Sequence, residues 1–139
     1  DQVMNWSQKN FLEFVNRRKN DGVLVTVPTT NPGFSYVDLL DDMSTVTRTK
    51  EKEVVSSFGN TGCYYFNKTK EFEYYTNLMI KKNIRVKNEF YVSQVYNEYI
   101  LDNKQIIHYP IVEIFSINTP AELENKKNNI SNFISNFKK

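Results

Sequence analysis

Apolar positions along the chain recur at two spacings, and the switches between them predict the elements. Over 7–20, Phe11, Leu12, Phe14 and Val15 stand among Lys, Arg and Asn at the three-to-four-residue spacing of an amphipathic helix, which ends near Asp21-Gly22. The β-branched run 23–27, closed by Gly22 and Pro28, is the signature of a buried strand. A turn cluster over 29–33 leads into two strands, 36–40 and 45–48, which form a predicted hairpin around Asp41-Asp42-Met43. The aromatic stretch 60–66 reads as a strand, and Phe72, Tyr75, Leu78 and Met79 place a helix over 68–82. Val92, Val95, Tyr96, Tyr99 and Ile100 predict another over 89–101, followed by strands over 105–109 and 111–115 as a second hairpin-like pair. A final helix is expected after Asn118, with Thr119 as its cap and Pro120 in its first turn. Ile130, Phe133, Ile134 and Phe137 keep helical register through the tail over 126–139, which reads as a docking helix.

Strands alternate with helices over most of the length, and the two hairpin-like pairs break strict alternation, so the fold class is α/β with a mixed sheet. The 139 residues suffice for one hydrophobic core. The first residue is Asp1 and the helical pattern starts almost at once, so the chain is read as a piece of a longer protein. A net charge of +2 is too small for an electrostatic footprint on nucleic acid. The longest apolar runs are a few residues, which excludes a membrane-spanning helix, for which roughly 20 are needed.

Most of the usual chemistry-bearing residues have structural readings. Cys63 is the single cysteine and reads as a buried, inert thiol, and the single histidine, His108, lies in a strand-like run as a structural residue. Asp41-Asp42 reads as a solvated turn, and the four glycines form no phosphate-cradling loop. Three Asn-x-Ser/Thr triplets, at Asn5, Asn67 and Asn129, are taken as chance matches in a cytoplasmic protein. The informative stretch is Glu51-Lys52 followed by Asn60-Thr61-Gly62-Cys63-Tyr64-Tyr65-Phe66. A carboxylate, an ammonium and a ring near a glycine can surround a polyhydroxy ligand; a charged loop with a core strand behind it has the same composition.

Several landmarks occur in one order: Asp1-Gln2 with Trp6, Asp21-Gly22, Phe34-Ser35-Tyr36-Val37, Glu51-Lys52 with Ser56, Thr61 to Phe66, Asn88-Glu89-Phe90-Tyr91-Val92, and Asn118-Thr119-Pro120-Ala121-Glu122-Leu123. This series resembles the later half of the sugar-nucleotide nucleotidyltransferases, or NDP-sugar pyrophosphorylases. The resemblance implies a three-layer, Rossmann-like fold of the glycosyltransferase-A type, represented by its sugar-binding half over 1–139. The family's glycine-rich nucleotide loop would lie upstream of Asp1.

The implied function is joining a nucleoside triphosphate to a sugar 1-phosphate, with release of pyrophosphate, for surface polysaccharide synthesis. The implied partners are those two substrates, with neither nucleic acid nor membrane, and homo-oligomer formation is left open. By the same resemblance Asp1 is a ligand of the cofactor Mg²⁺, a hard cation suited to carboxylate oxygen. Glu51 is expected to accept hydrogen bonds from sugar hydroxyls. Lys52 is the expected catalytic residue, facing the sugar phosphate, and Tyr36, Asn60, Gly62 and Tyr64 are expected to line the sugar site. The chain departs from the family at Val37 and Asn118, where many members have Gly, and at Phe115-Ser116, where some have Trp and a second metal-binding Asp. Two other readings share the architecture, a glycosyltransferase that consumes a nucleotide-sugar and a noncatalytic member that binds sugar phosphate or pairs with another subunit.

Overall fold

A computed structural model describes residues 2–117 and 119–137, with the backbone alone at 133, 134, 136 and 137. The elements are β1 (Gln2–Met4), α1 (Gln8–Arg17), β2 (Gly22–Pro28), β3 (Ser35–Leu39), β4 (Val46–Glu51), β5 (Phe58–Phe66), α2 (Thr69–Lys81), α3 (Val92–Leu101), β6 (Ile106–Pro110), β7 (Ile114–Ser116) and α4 (Pro120–Phe137). A five-stranded sheet runs in the order β4-β3-β5-β2-β6. Its β2–β6 pair is parallel and its other pairs antiparallel, so the mixed α/β class expected from the pattern is the class observed.

Period-two alternation on β2 sorts its side chains between two cores. Leu24 faces one with Tyr75, Met79, Val95, Tyr96 and Tyr99 of α2 and α3, while Val23, Val25 and Val27 face another with Phe11 and Val15 of α1. Helices on both faces make three layers, and burial of β2 on both sides explains its unbroken β-branched run. Across the first core, the Tyr96 hydroxyl reaches the carbonyl oxygens of Val23 at 3.1 Å and Tyr65 at 3.0 Å.

Local chemistry sets the element ends. The Ser7 side chain accepts from the Asn10 N–H at 3.2 Å and caps α1. Asn20 donates to the carbonyls of Val15 and Arg18, satisfying the helix's last turn, so α1 stops at Arg17, short of the expected 20. At α4 the expected cap is present as a reciprocal box. The Glu122 N–H donates to Thr119 Oγ1 at 3.2 Å, and the Thr119 N–H donates to Glu122 Oε2 at 3.3 Å. Ile130 of the expected docking helix is buried, whereas the side chains of Phe133, Ile134 and Phe137 lie outside the described residues.

Three expectations are corrected. First, α3 starts at Val92 and not at 89, because Lys87 (φ 49°) and Asn88 (φ 65°) form a two-residue turn closed by paired bonds between Val86 and Glu89. Second, the strands after α3 do not pair with each other. β6 lies parallel to β2, and β7 forms a separate two-stranded sheet with β1, a short strand without a readable pattern. The Ile111 N–H donates to Thr26 O at 2.7 Å, so the chain follows β2 past Pro110 before turning away. Third, Cys63 is half-buried and not buried, with burial still pushing its thiol pKa up.

His108 and Asp42 are structural, as expected. The Thr45 hydroxyl, which donates to Asp42 Oδ2, and then the backbone N–H groups of Thr45 and Ser44, which donate to Oδ1, lower the Asp42 carboxyl pKa to about 2. His108 is buried, its Nε2–H donating to Met43 O at 2.9 Å, which leaves Nδ1 to accept from the Thr26 hydroxyl at 2.9 Å. Burial lowers the His108 pKa. The unfolded chain therefore binds more protons just below the ordinary histidine value of about 6.5, and stability is lost as pH falls through that window. In denaturant titrations of wild type and His108→Gln at pH 7.5 and 5.0, the wild type is expected to lose more stability than the variant on acidification.

Candidate functional site

β2, β3 and β6 run one way and β4 and β5 the other, and the register brings Thr26 of β2, Pro110 of β6, Asn60 of β5, the first residue of β3 (Ser35) and the last of β4 (Glu51) to one level of the main sheet. A cleft of about 520 Å³ opens there, lined by Ser35 of β3, Glu51 of β4 and Asn60, Thr61, Gly62 and Tyr64 of β5. Ligands of open α/β sheets bind outside the carboxyl ends of strands, and this is such a place.

The cleft's floor is an irregularity in β5. Leu24 pairs with Tyr64 and Thr26 with Asn60, so Val25 alone is opposed by Thr61, Gly62 and Cys63. The Thr61 hydroxyl donates to Val25 O at 3.0 Å and holds the bulge to β2. Gly62 takes φ +83°, in the left-handed region that favours glycine, and a Cβ there would meet nothing within 4 Å. The Gly62 N–H donates to Asn60 Oδ1 at 3.0 Å, which fixes the amide's orientation and turns Nδ2 away. Asn60 is 5% exposed, and its Nδ2 is buried without a partner. An unpaired buried donor costs about 1–3 kcal/mol, so its placement on a cleft wall is a reason to expect an acceptor from a ligand.

Glu51 is the last residue of β4 and not part of a following loop. Its Oε2 accepts from the Ser93 hydroxyl at 2.7 Å, and Thr49 Oγ1 donates to Ser93 O at 2.7 Å, so α3 holds the end of β4. Asn97 completes that clamp by exchanging two hydrogen bonds with the Thr49 backbone, which closes the outer edge of β4. Glu51 Oε1 has no partner among the described residues. Burial first, and the Glu51 carboxylate second, push the Tyr64 hydroxyl up to about 12, so it is a neutral donor at physiological pH.

Of the expected sugar-site residues, Glu51, Asn60, Gly62 and Tyr64 line the cleft together, and Tyr36 and Lys52 do not. Tyr36 is fully buried and donates to Asn31 O at 2.7 Å, so it supports a lining residue from below. Lys52 adopts φ +55°, and its side chain donates to the Tyr91 hydroxyl at 2.9 Å. That hydroxyl, first among the causes, raises the Lys52 pKa. Tyr91 itself lines the cleft. Asp1 lies outside the described residues, among which no cluster of three or more His, Cys, Asp or Glu side chains is placed to hold a metal ion. Sequence reading missed Gln2 and Lys126, which also line the cleft; only the packing of β1 and α4 brings them there.

No protein-family model matches the chain, and no curated protein matches it. Solved structures do. The nucleoside-diphosphate-sugar pyrophosphorylase of Vibrio cholerae RC9 superposes with a TM-score of 0.75 at 20% identity, over 90% of this chain and 52% of its own. The chain has a nucleotidyltransferase fold. A Bacillus anthracis protein described as a glucose-1-phosphate thymidylyltransferase, solved with a sucrose, gives 0.68 at 16% identity, over 93% of this chain and 51% of its own. The inositol-1-phosphate CTP transferase of T. maritima gives 0.65 at 12% identity, over 96% and 53%. The nucleotidyltransferase-fold chain thus spans about half the length of these structures. Among the described residues no helix is long and apolar enough to cross a membrane.

Because the Gly62 site has room for a methyl group, backbone conformation alone sets the cost of filling it. Gly62→Ala is expected to lower unfolding free energy by about 1 kcal/mol, the usual cost of a left-handed alanine. Urea denaturation checks it.

Proposed function

We propose that the chain is the sugar-phosphate-binding half of a nucleotidyltransferase that joins a nucleoside triphosphate and a sugar 1-phosphate to give an NDP-sugar and pyrophosphate. What supports this reading most is the cleft itself: a carboxylate with an unpartnered oxygen, an unpartnered amide N–H and a neutral tyrosine hydroxyl line it beside a glycine, in a fold shared with proteins described as a nucleoside-diphosphate-sugar pyrophosphorylase and a glucose-1-phosphate thymidylyltransferase. Those groups complement sugar hydroxyls, each of which both donates and accepts.

In the proposed reaction an oxygen of the sugar 1-phosphate attacks the nucleotide α-phosphorus in line; the new P–O bond forms as the bond to the departing pyrophosphate breaks. Catalysis of this kind is mostly positioning and charge neutralisation. Glu51 orients the sugar by accepting from hydroxyls, and Asn60 and Tyr64 donate to its oxygens. Lys52, held at the rim by Tyr91, neutralises charge as the phosphates approach. The nucleotide-binding elements belong to a longer protein of which this chain is the later portion. Asp1 would hold the Mg²⁺, which would supply positive charge against the phosphate oxygens. The cytoplasm is the compartment this chemistry calls for, and supply of activated sugar for surface polysaccharide is the role it fits.

A second reading, a noncatalytic sugar-phosphate binder, is favoured by the engagement of the Lys52 ammonium with the Tyr91 hydroxyl, Lys52 not itself lining the cleft. Pyrophosphate release by the longer protein, with Mg²⁺ and a panel of nucleoside triphosphates and sugar 1-phosphates, separates the two. Release with one pair is expected, and Glu51→Ala should raise the KM for the sugar phosphate about tenfold, the cost of one charge-assisted hydrogen bond. Silence across the panel by a folded protein would leave the binding reading. An unchanged KM would remove Glu51 from the site.

A further inference from the structure

The geometry points to Lys126 as the residue that binds the phosphate of the sugar phosphate, an assignment that rests on the sugar-phosphate reading of the cleft. Lys126 lies in the second turn of α4, at the start of the lysine- and asparagine-rich segment that the sequence reads as a docking helix. In the fold it lines the cleft, and among the described lining residues it is the only Lys or Arg.

Charge makes the assignment necessary. The same cleft is lined by the carboxylates of Glu51 and Glu122, both of which repel a phosphate dianion. Glu122 Oε2 accepts from the Thr119 N–H at the α4 cap, and Glu51 Oε2 from the Ser93 hydroxyl. The Lys126 ammonium donates to Ser116 O at 2.8 Å. An ammonium has three N–H donors, so two remain for phosphate oxygens. The Ser116 bond also holds the long side chain over the cleft before a ligand arrives, which reduces the ordering cost of binding.

Position agrees with charge. A second cleft of about 270 Å³, lined by Val27, Pro28 and Val112, adjoins the first, and Lys126 and Ser116 line both. A phosphate on Lys126 stands at this junction, with its sugar in the larger arm against Glu51. Asn60, 5% exposed and with a buried Nδ2 that has no partner among the described residues, lines the larger arm.

The test is NMR titration of wild type, Lys126→Met and Lys126→Arg with α-D-glucose 1-phosphate and α-D-mannose 1-phosphate, with thermal melts confirming that each variant folds. Shifts at the Asn60 and Gly62 amides report the cleft. Lys126→Met is expected to weaken binding about tenfold, as loss of a charge-assisted hydrogen bond does, and Lys126→Arg to restore most of it. Wild-type binding that Lys126→Met leaves unchanged overturns the assignment and leaves the sugar-phosphate reading standing. A loss in Lys126→Met that Lys126→Arg does not recover marks a structural role and also overturns it. Absence of cleft shifts in the wild type with either sugar phosphate overturns both.

Discussion

The cleft depends on one irregularity in hydrogen-bonded pairing, the three residues of β5 that stand opposite Val25. A regular ladder would send Thr61, Gly62 and Cys63 alternately to the two cores and close the end of the sheet. The bulge instead carries Gly62 outward and lets its N–H fix the amide of Asn60. It also presents the Thr61 carbonyl to the Gln2 side chain, which ties the small β1–β7 sheet to the large one. Ser116 ends β7 and accepts from Lys126 of α4, so one defect in one strand is linked through Gln2 to the far wall.

The opposite wall is secured in another way. β4 is an edge strand over most of its length, and an edge strand holds its terminal residue loosely unless something covers it. Here α3 does so with side chains. Asn97 substitutes for a neighbouring strand at Thr49, and Ser93 bonds both Thr49 and Glu51. Binding side chains are most precise when their supports are packed elements, and Ser93 is completely buried. The carboxylate therefore keeps one oxygen engaged in structure and one available.

Much of this was legible in sequence because it follows from local rules. The alternating burial of β2, the amphipathic faces of α1 and α2, the Thr119 cap and the structural part of Asp42 are set by residues within a few positions of one another, or by period alone. Glu51, Asn60, Gly62 and Tyr64 could be singled out because they follow motif order, and they do converge on one cleft.

Sequence by itself determined the class of fold, the strand and helix inventory apart from β1, and the carboxylate and glycine that mark the cleft. Tertiary structure decided what depends on partners distant in the chain. The pairing of β7 with β1 joins residues more than a hundred positions apart, and no periodicity encodes such a choice. The left-handed turn at Lys52 engages its side chain with the Tyr91 hydroxyl and leaves it out of the cleft lining, although it is the neighbour of Glu51 in the motif. Lys126 shows the converse, since a charged residue on a polar helix has no mark of its own until docking sets it over Ser116. Hydrophobic pattern fixes which face of an element is buried, but only the packed fold fixes which polar side chains meet across a cleft.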